Sequence, residues 1–154
     1  MMTLEITVAE LAKAESLDLG SSPWQVVEQQ RVDTFADATD DHQWIHVDPE
    51  RAADGPFGGT IAHGYLTLSL VPSLFKQLLV ITDHARGANY GLDKVRFTAP
   101  VPVGAEIRLT ASIQEAELRE DGGVQYRVRL AMEIKGQERP AMVGESIYVT
   151  YPAG

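Results

Sequence analysis

Apolar and polar positions alternate with period two along the C-terminal third of this chain. Ile107, Leu109, Ala111 and Ile113 are separated by Arg108, Thr110 and Ser112, and Val124, Tyr126, Val128, Leu130, Met132 and Ile134 alternate without a break. Such alternation predicts antiparallel strands with one covered and one solvated face. Asp121-Gly122-Gly123 marks a hairpin between these two strands, and Lys135-Gly136-Gln137 marks the next turn. Ala88 to Phe97 and Val143 to Tyr151 read as two further strands. Upstream, the period changes. Leu66, Leu68, Leu70, Val71, Leu74, Phe75, Leu78, Leu79 and Val80 surround most of a helical wheel over 62–81, as expected of a buried helix. Pro72 inside that run predicts a kink or a split, because it lacks the N–H that a continuous helix needs.

The N-terminal half is less regular. Val8 to Ala14 is a short amphipathic segment, followed by the Gly20-Ser21-Ser22-Pro23 break and a short strand at Trp24 to Val27. Gln29 to Thr39 has helical spacing at Val32, Phe35 and Ala36. Residues 40–61 read as irregular, with one helical turn expected after Asp48-Pro49, where the aspartate caps and the proline takes the first helical position. The pattern as a whole predicts an α+β chain, residues 1–154 in a single domain, with an antiparallel sheet curved around one central helix.

Composition narrows the class. The 154 residues are 44% hydrophobic and 23% charged, as in globular domains, and contain no cysteine, which excludes disulfides, thiolate metal sites and a cysteine nucleophile. No apolar run reaches membrane-spanning length, and the N-terminus lacks the pattern of a secretory signal, so the expectation is a cytoplasmic protein. The formal net charge of −9 disfavours nucleic acid and anionic membranes as partners. The acids are uneven: residues 1–50 carry eleven against two bases, and the remainder carries eleven of each. Lys76, Arg86, Lys94 and Arg96 against Asp83 and Asp93 make a locally basic stretch that could receive a small anionic ligand or simply be a mixed solvated face.

Candidate chemistry crowds into 40–64, which holds three of the four histidines, His42, His46 and His63. Asp41 and His46, five apart in a loop, can converge on one water, and both exchange protons readily. A purely structural ion pair is the competing reading. His42 and His46 would share a face if that stretch were helical, and could then ligate a metal with His63 or an aspartate as third ligand. Trp44-Ile45 and the nearby Pro49 speak against a helix there, so no metal is expected. No nucleophile-elbow, Walker or dinucleotide spacing is present, and Gly55, Gly58 and Gly59 read as backbone hinges. His63-Gly64 opens the buried helix, where unpaired N–H groups and the helix dipole suit an oxygen that becomes negative. Gly64 could equally serve close packing alone.

These residues resemble a known family. FADATDDHQWIHVDPERA (35–52) followed by GGTIAHGYLTLSL (58–70) is similar to the hydratase 2 motif of MaoC-like (R)-specific enoyl-CoA hydratases, and NYGLDKVRFTAPVPVG (89–104) to the family's next strand and its exit. The resemblance, from about residue 20 to 150, implies a hot-dog fold and a homodimer with acyl-CoA sites near the interface. It implies hydration of trans-2-enoyl-CoA to (R)-3-hydroxyacyl-CoA, with no cofactor because coenzyme A is part of the substrate. Asp41 and His46 match the catalytic pair, and Gly64 matches the glycine whose N–H binds the thioester oxygen. Gln43 stands at the motif's asparagine, Trp44 at its proline and Asp40 at its glycine; Asp40 would raise the pKa of Asp41 if the two side chains faced each other. Pro72 stands where some members carry a serine. Gln43, His63, Asn89, Tyr90, Lys94 and Arg96 are expected to bind substrate, with Lys94, Arg96 or Arg86 meeting the CoA phosphates. A dehydratase acting on carrier-protein thioesters, a noncatalytic acyl-thioester-binding protein and a hot-dog thioesterase are the alternatives.

Overall fold

The alternating segments form the sheet. The computed structural model describes residues 2–153. In chain order the elements are β1 (Leu4–Ile6), α1 (Val8–Leu11), β2 (Glu15–Ser21), β3 (Gln25–Val26), α2 (Gln29–Thr39), α3 (Trp44–Val47), α4 (Pro49–Ala53), α5 (Gly64–Ser69), α6 (Val71–Phe75), β4 (Leu79–Ile81), β5 (His84–Phe97), β6 (Glu106–Leu118), β7 (Val124–Ile134) and β8 (Met142–Pro152). The main sheet runs β2-β6-β7-β8-β5, with β3 also on β6, and every pair in it is antiparallel. Among the described residues no helix is long and apolar enough to cross a membrane.

The two-residue period of β7 is realised in full: Val124, Tyr126, Val128, Leu130, Met132 and Ile134 are all buried. They join one core with Ile107, Leu109 and Ile113 of β6 and with Leu66, Leu70, Val71, Leu74 and Leu78 of the central segment. Burying a leucine or isoleucine stabilises by about 1.5–3 kcal/mol, so this contact between sheet and helices is the main source of cohesion. The polar positions between them face solvent and pair across strands. Arg127 of β7, for example, meets Asp93 at 2.5 Å and Glu145 at 3.2 Å.

The central helix is divided, as Pro72 requires. α5 and α6 meet at Leu70, which keeps right-handed helical dihedrals, and Pro72 enters α6 near its first position, where a missing N–H costs nothing. The helical pattern read through Ile81 ends earlier. Leu79–Ile81 instead pairs in parallel with Leu4–Ile6 as a two-stranded sheet at the chain's N-terminus. In the 40–61 region the expected turn is present: Asp48 caps α4, its side chain accepting from the Arg51 N–H at 3.1 Å. The short helix α3 just before it corrects the expectation of no helix at Trp44-Ile45: it is a single turn, closed by the His46 and Val47 N–H groups on the Gln43 carbonyl, and it ends before Pro49.

β5 forms the sheet's far edge and pairs only with β8 among the described residues. Its register shifts three times, and Lys94 in one shift has a left-handed φ of 53°. Val95 beside it presses on β8, where a side chain at Gly144 would lie 2.9 Å from the valine methyl.

Asp40 ends α2 in the left-handed conformation, with φ 63° and ψ 25°. That is the conformation for which glycine is the cheapest residue. The substitution Asp40→Gly is expected to raise stability by about 0.5–1 kcal/mol, a share of the left-handed penalty reduced by the greater freedom of glycine in the unfolded chain. A urea unfolding midpoint that does not rise, at constant slope, would contradict this.

Candidate active site

Four hydrogen bonds fasten the irregular region to the ordered part of the fold. The Ile61 N–H donates to the Ile45 carbonyl at 3.0 Å, and His46 Nδ1–H donates to the Ile61 carbonyl at 2.7 Å. Gln29 at the start of α2 donates through Nε2 to the His46 carbonyl and accepts from the Thr60 hydroxyl, each at 2.7 Å. Segment 60–62 is in turn held by residues 101–103: the Ala62 N–H donates to Val101 O at 2.8 Å and the Val103 N–H to Thr60 O at 2.9 Å. His46, within α3, is thus fixed from α2 and, through segment 60–62, from residues 101–103 beyond β5.

The Ile61 carbonyl can only accept, so His46 carries its proton on Nδ1, which leaves Nε2 with a lone pair. His63 is the reverse. Its Nε2–H donates to the Asp41 carbonyl at 2.9 Å, and its Nδ1 is buried without a partner among the described residues. The two imidazoles stack, centroids 3.9 Å apart and planes 24° from parallel. A carboxylate oxygen of Asp41 and one ring nitrogen from each histidine lie within 4.8 Å of one another. The trio has the residue types of a metal site, and each ring spends one nitrogen on a main-chain carbonyl, which leaves the other free to accept.

Gly64 opens α5, with His63 as its N-cap. The first intrahelical bonds start at Leu66 and Thr67, both to the His63 carbonyl, so the Gly64 and Tyr65 N–H groups precede the helical ladder. The Phe97 ring lies over Gly64; a side chain there would meet three of its carbons at 3.1–3.2 Å. His46 and Gly64 share a cleft of about 300 Å³, walled by Phe57, Phe97, Val101 and Ala141. His46, with a free lone pair, and the backbone donors at Gly64 face this apolar cleft, while the Asp41 carboxylate lies outside its lining but within 4.8 Å of a His46 ring nitrogen. Such a set can hold water against a polarised carbonyl.

The other residues singled out from sequence lie elsewhere. Gln43 is exposed and precedes α3 as its N-cap, contributing its carbonyl rather than its side chain. His42 turns away from His46 and pairs with Asp37 at 2.9 Å, so the His42–His46 metal arrangement does not form. Asn89 and Tyr90 line a second cleft of about 420 Å³ with Leu68, Val71, Pro72 and Tyr148. Lys94 lies in a groove across the sheet with Asp18, Arg129 and Glu145. Arg96 donates to the Val95 carbonyl at 2.9 Å, and Arg86 stacks over Tyr151. None of Asn89, Tyr90, Lys94, Arg96 and Arg86 lines the cleft shared by His46 and Gly64. Sequence reasoning missed Gln29, Thr60 and Phe35. No motif singles out a glutamine and a threonine thirty-one positions apart, and their partnership exists only in the fold.

Burial pushes the His46 pKa below its ordinary value of 6.5, His63 adds to the depression, and the Ile61 carbonyl and Asp41 partly offset it. The folded protein therefore binds a proton at His46 less readily than the unfolded chain does. The stabilisation is complete above about pH 6.5 and is lost as pH falls through the lower, folded value. His42, raised by its bond to exposed Asp37, contributes with the opposite sign, being lost as pH rises. Stability measured from pH 7 to pH 5 is expected to decline less steeply in His46→Gln than in the unaltered chain. Equal slopes in denaturant titrations across that range would refute it.

The MaoC like domain family matches residues 11–133. The 3-hydroxyacyl-thioester dehydratase Z of Mycobacterium tuberculosis is 52% identical over 147 residues, covering 96% of this chain and 97% of the relative. The (R)-specific enoyl-CoA hydratase of Aeromonas caviae is 37% identical over 90 residues, covering 58% of this chain and 63% of the relative. Among solved structures, the (R)-hydratase from A. caviae involved in PHA biosynthesis superposes with a TM-score of 0.70 at 28% identity, covering 90% of this chain and all of that one. An antiparallel sheet on a divided central helix and these likenesses agree: the chain belongs to the MaoC-like dehydratase family and has its hot-dog fold.

Proposed function

We propose that this chain is a hydro-lyase that interconverts trans-2-enoyl and 3-hydroxyacyl thioesters, with acyl-CoA as the substrate class. The observation that carries this reading is the convergence of Asp41 and His46, whose Nε2 is free to accept, beside the unpaired N–H groups at Gly64. The names of the mycobacterial dehydratase and the A. caviae hydratase support the same chemistry, written in opposite directions.

The two side chains are both acceptors, so together they hold one water by its two hydrogens. As the water oxygen bonds to C3, one of its protons passes to the pair, and a proton passes from the pair to C2. Water is added, and the pair ends in its starting protonation state. Asp41 and His46 act as one titrating unit, each proton transfer contributing roughly 10²–10⁴-fold. Charge moves from C3 through the conjugated system to the thioester oxygen. A Gly64 N–H donating to that oxygen would contribute about 3 kcal/mol in rate.

A homodimer is part of the reading. β5 presents a long edge with no partner strand among the described residues, and Tyr90, Leu92 and Phe97 on it, with Tyr65 beside it, are exposed apolar side chains. A second β5 pairing across a two-fold axis would cover both the unpaired backbone and these side chains. Arg86, Lys94 and Arg96 on the same strand are candidates to meet the CoA phosphates. Carrier-protein thioesters are the second substrate reading, compatible with the mycobacterial relative's name, which specifies a thioester and not its carrier.

Crotonyl-CoA hydration, followed as loss of enoyl absorbance, is the direct test. Asp41→Asn and His46→Gln should each lower turnover by at least about 10³-fold with an unchanged circular dichroism spectrum. Substantial activity in either variant, binding without turnover in the unaltered protein, or release of free thiol would defeat the proposal. Parallel rates on CoA and carrier-protein thioesters separate the two substrate readings.

A further inference from the structure

His63 is only 2% exposed, less than His46, and its ring is held by three contacts. It stacks on His46 at 3.9 Å, packs against the tilted Phe35 ring at 4.9 Å, and donates from Nε2 to the Asp41 carbonyl. Its Nδ1 is left buried with no hydrogen-bond partner. An orphaned buried acceptor destabilises a fold, and an apolar ring would fill the same space without that cost. The imidazole is therefore poorly explained by packing alone. What only it supplies is a flat ring carrying a donor at one corner, which can touch Asp41 and His46 together.

The position in the chain gives those contacts their significance. Asp41 follows the left-handed Asp40 and lies in the loop between α2 and α3, where no helix or strand sets its backbone. His63 is the N-cap of α5 and the covalent neighbour of Gly64. One residue thus links the carboxylate's backbone, the imidazole's face and the N–H groups of the helix entrance.

We propose that His63 is a positioning residue that fixes the Asp41 carboxylate and the His46 ring relative to each other and to the Gly64 backbone. This rests on the reading that Asp41 and His46 carry the water. Displacement of a reacting group by about 1 Å can cost on the order of 10²-fold in rate, so a tie that sets their separation acts on turnover more than on affinity.

Two variants divide the contacts. His63→Phe keeps the stacking surface and removes the donor, whereas His63→Gln keeps an amide donor and removes the stack. Each is expected to lower kcat on crotonyl-CoA by about 10–100-fold with KM within about twofold. The titratable groups that face His46 are Asp41 and His63. Without the second imidazole, the acidic limb of the kcat/KM profile should move to higher pH, and His46 resonances followed by nuclear magnetic resonance should titrate closer to the ordinary histidine value. Loss of activity that merely tracks loss of folded protein, with pH profile and His46 titration unchanged, would overturn the proposal, as would an unchanged kcat. If the unaltered protein turns over no enoyl thioester, the functional reading fails by itself. The His46 titration then still decides: a shift in the variants supports the tie, and no shift refutes it.

Discussion

The candidate site depends on one hydrogen bond, from His46 Nδ1 to the Ile61 carbonyl. A buried imidazole must commit one nitrogen to a partner, and the choice of partner decides which face of the ring remains chemically available. Here the partner is a main-chain carbonyl, an acceptor that cannot change role. It is itself anchored, because segment 60–62 is held against 101–103, and Gln29 ties the His46 carbonyl to the Thr60 hydroxyl. The loop that supplies the chemistry is therefore as firmly located as the strands, although most of it has no regular structure.

Much of this was legible in the sequence because repetition declares itself. β7 follows its two-residue alternation from end to end, α2 occupies Gln29–Thr39 as its spacing indicated, and the Asp48-Pro49 pair starts a helix as capping chemistry requires. Elements whose cause lies outside themselves were not legible. Leu79–Ile81 continues an apolar helical run in sequence, but becomes a strand because Leu4–Ile6 offers it a parallel partner. β2 is mostly exposed, and its alternation rests on Leu17 and Leu19 alone, too short to read. At the candidate site, Asp41, His46 and Gly64 stand out by residue type and by the motif they resemble, and the fold brings Asp41 and His46 together. Gln29, Thr60 and Phe35 act through contacts across 17 to 31 positions, which leave no local trace.

The apolar lining of the second cleft also follows from an element that the sequence announced only as an interruption. Pro72 and Tyr148 stand in the walls of two neighbouring clefts, of about 420 and 380 Å³, and Phe75 from the same turn stacks on Tyr148. Leu68 and Ser69 of α5 line the first of these clefts together with Val71 and Pro72 of α6, so the helix that Gly64 opens also walls it.

The joint between α5 and α6 leaves the backbone ladder unbroken, since the Leu70 N–H reaches Leu66 and the Leu74 N–H reaches Leu70. A wider or narrower side chain in α6 is therefore felt along the axis as far as the helix entrance. The clefts on one side of this segment and the setting of Gly64 on the other are shaped by the same few turns of chain.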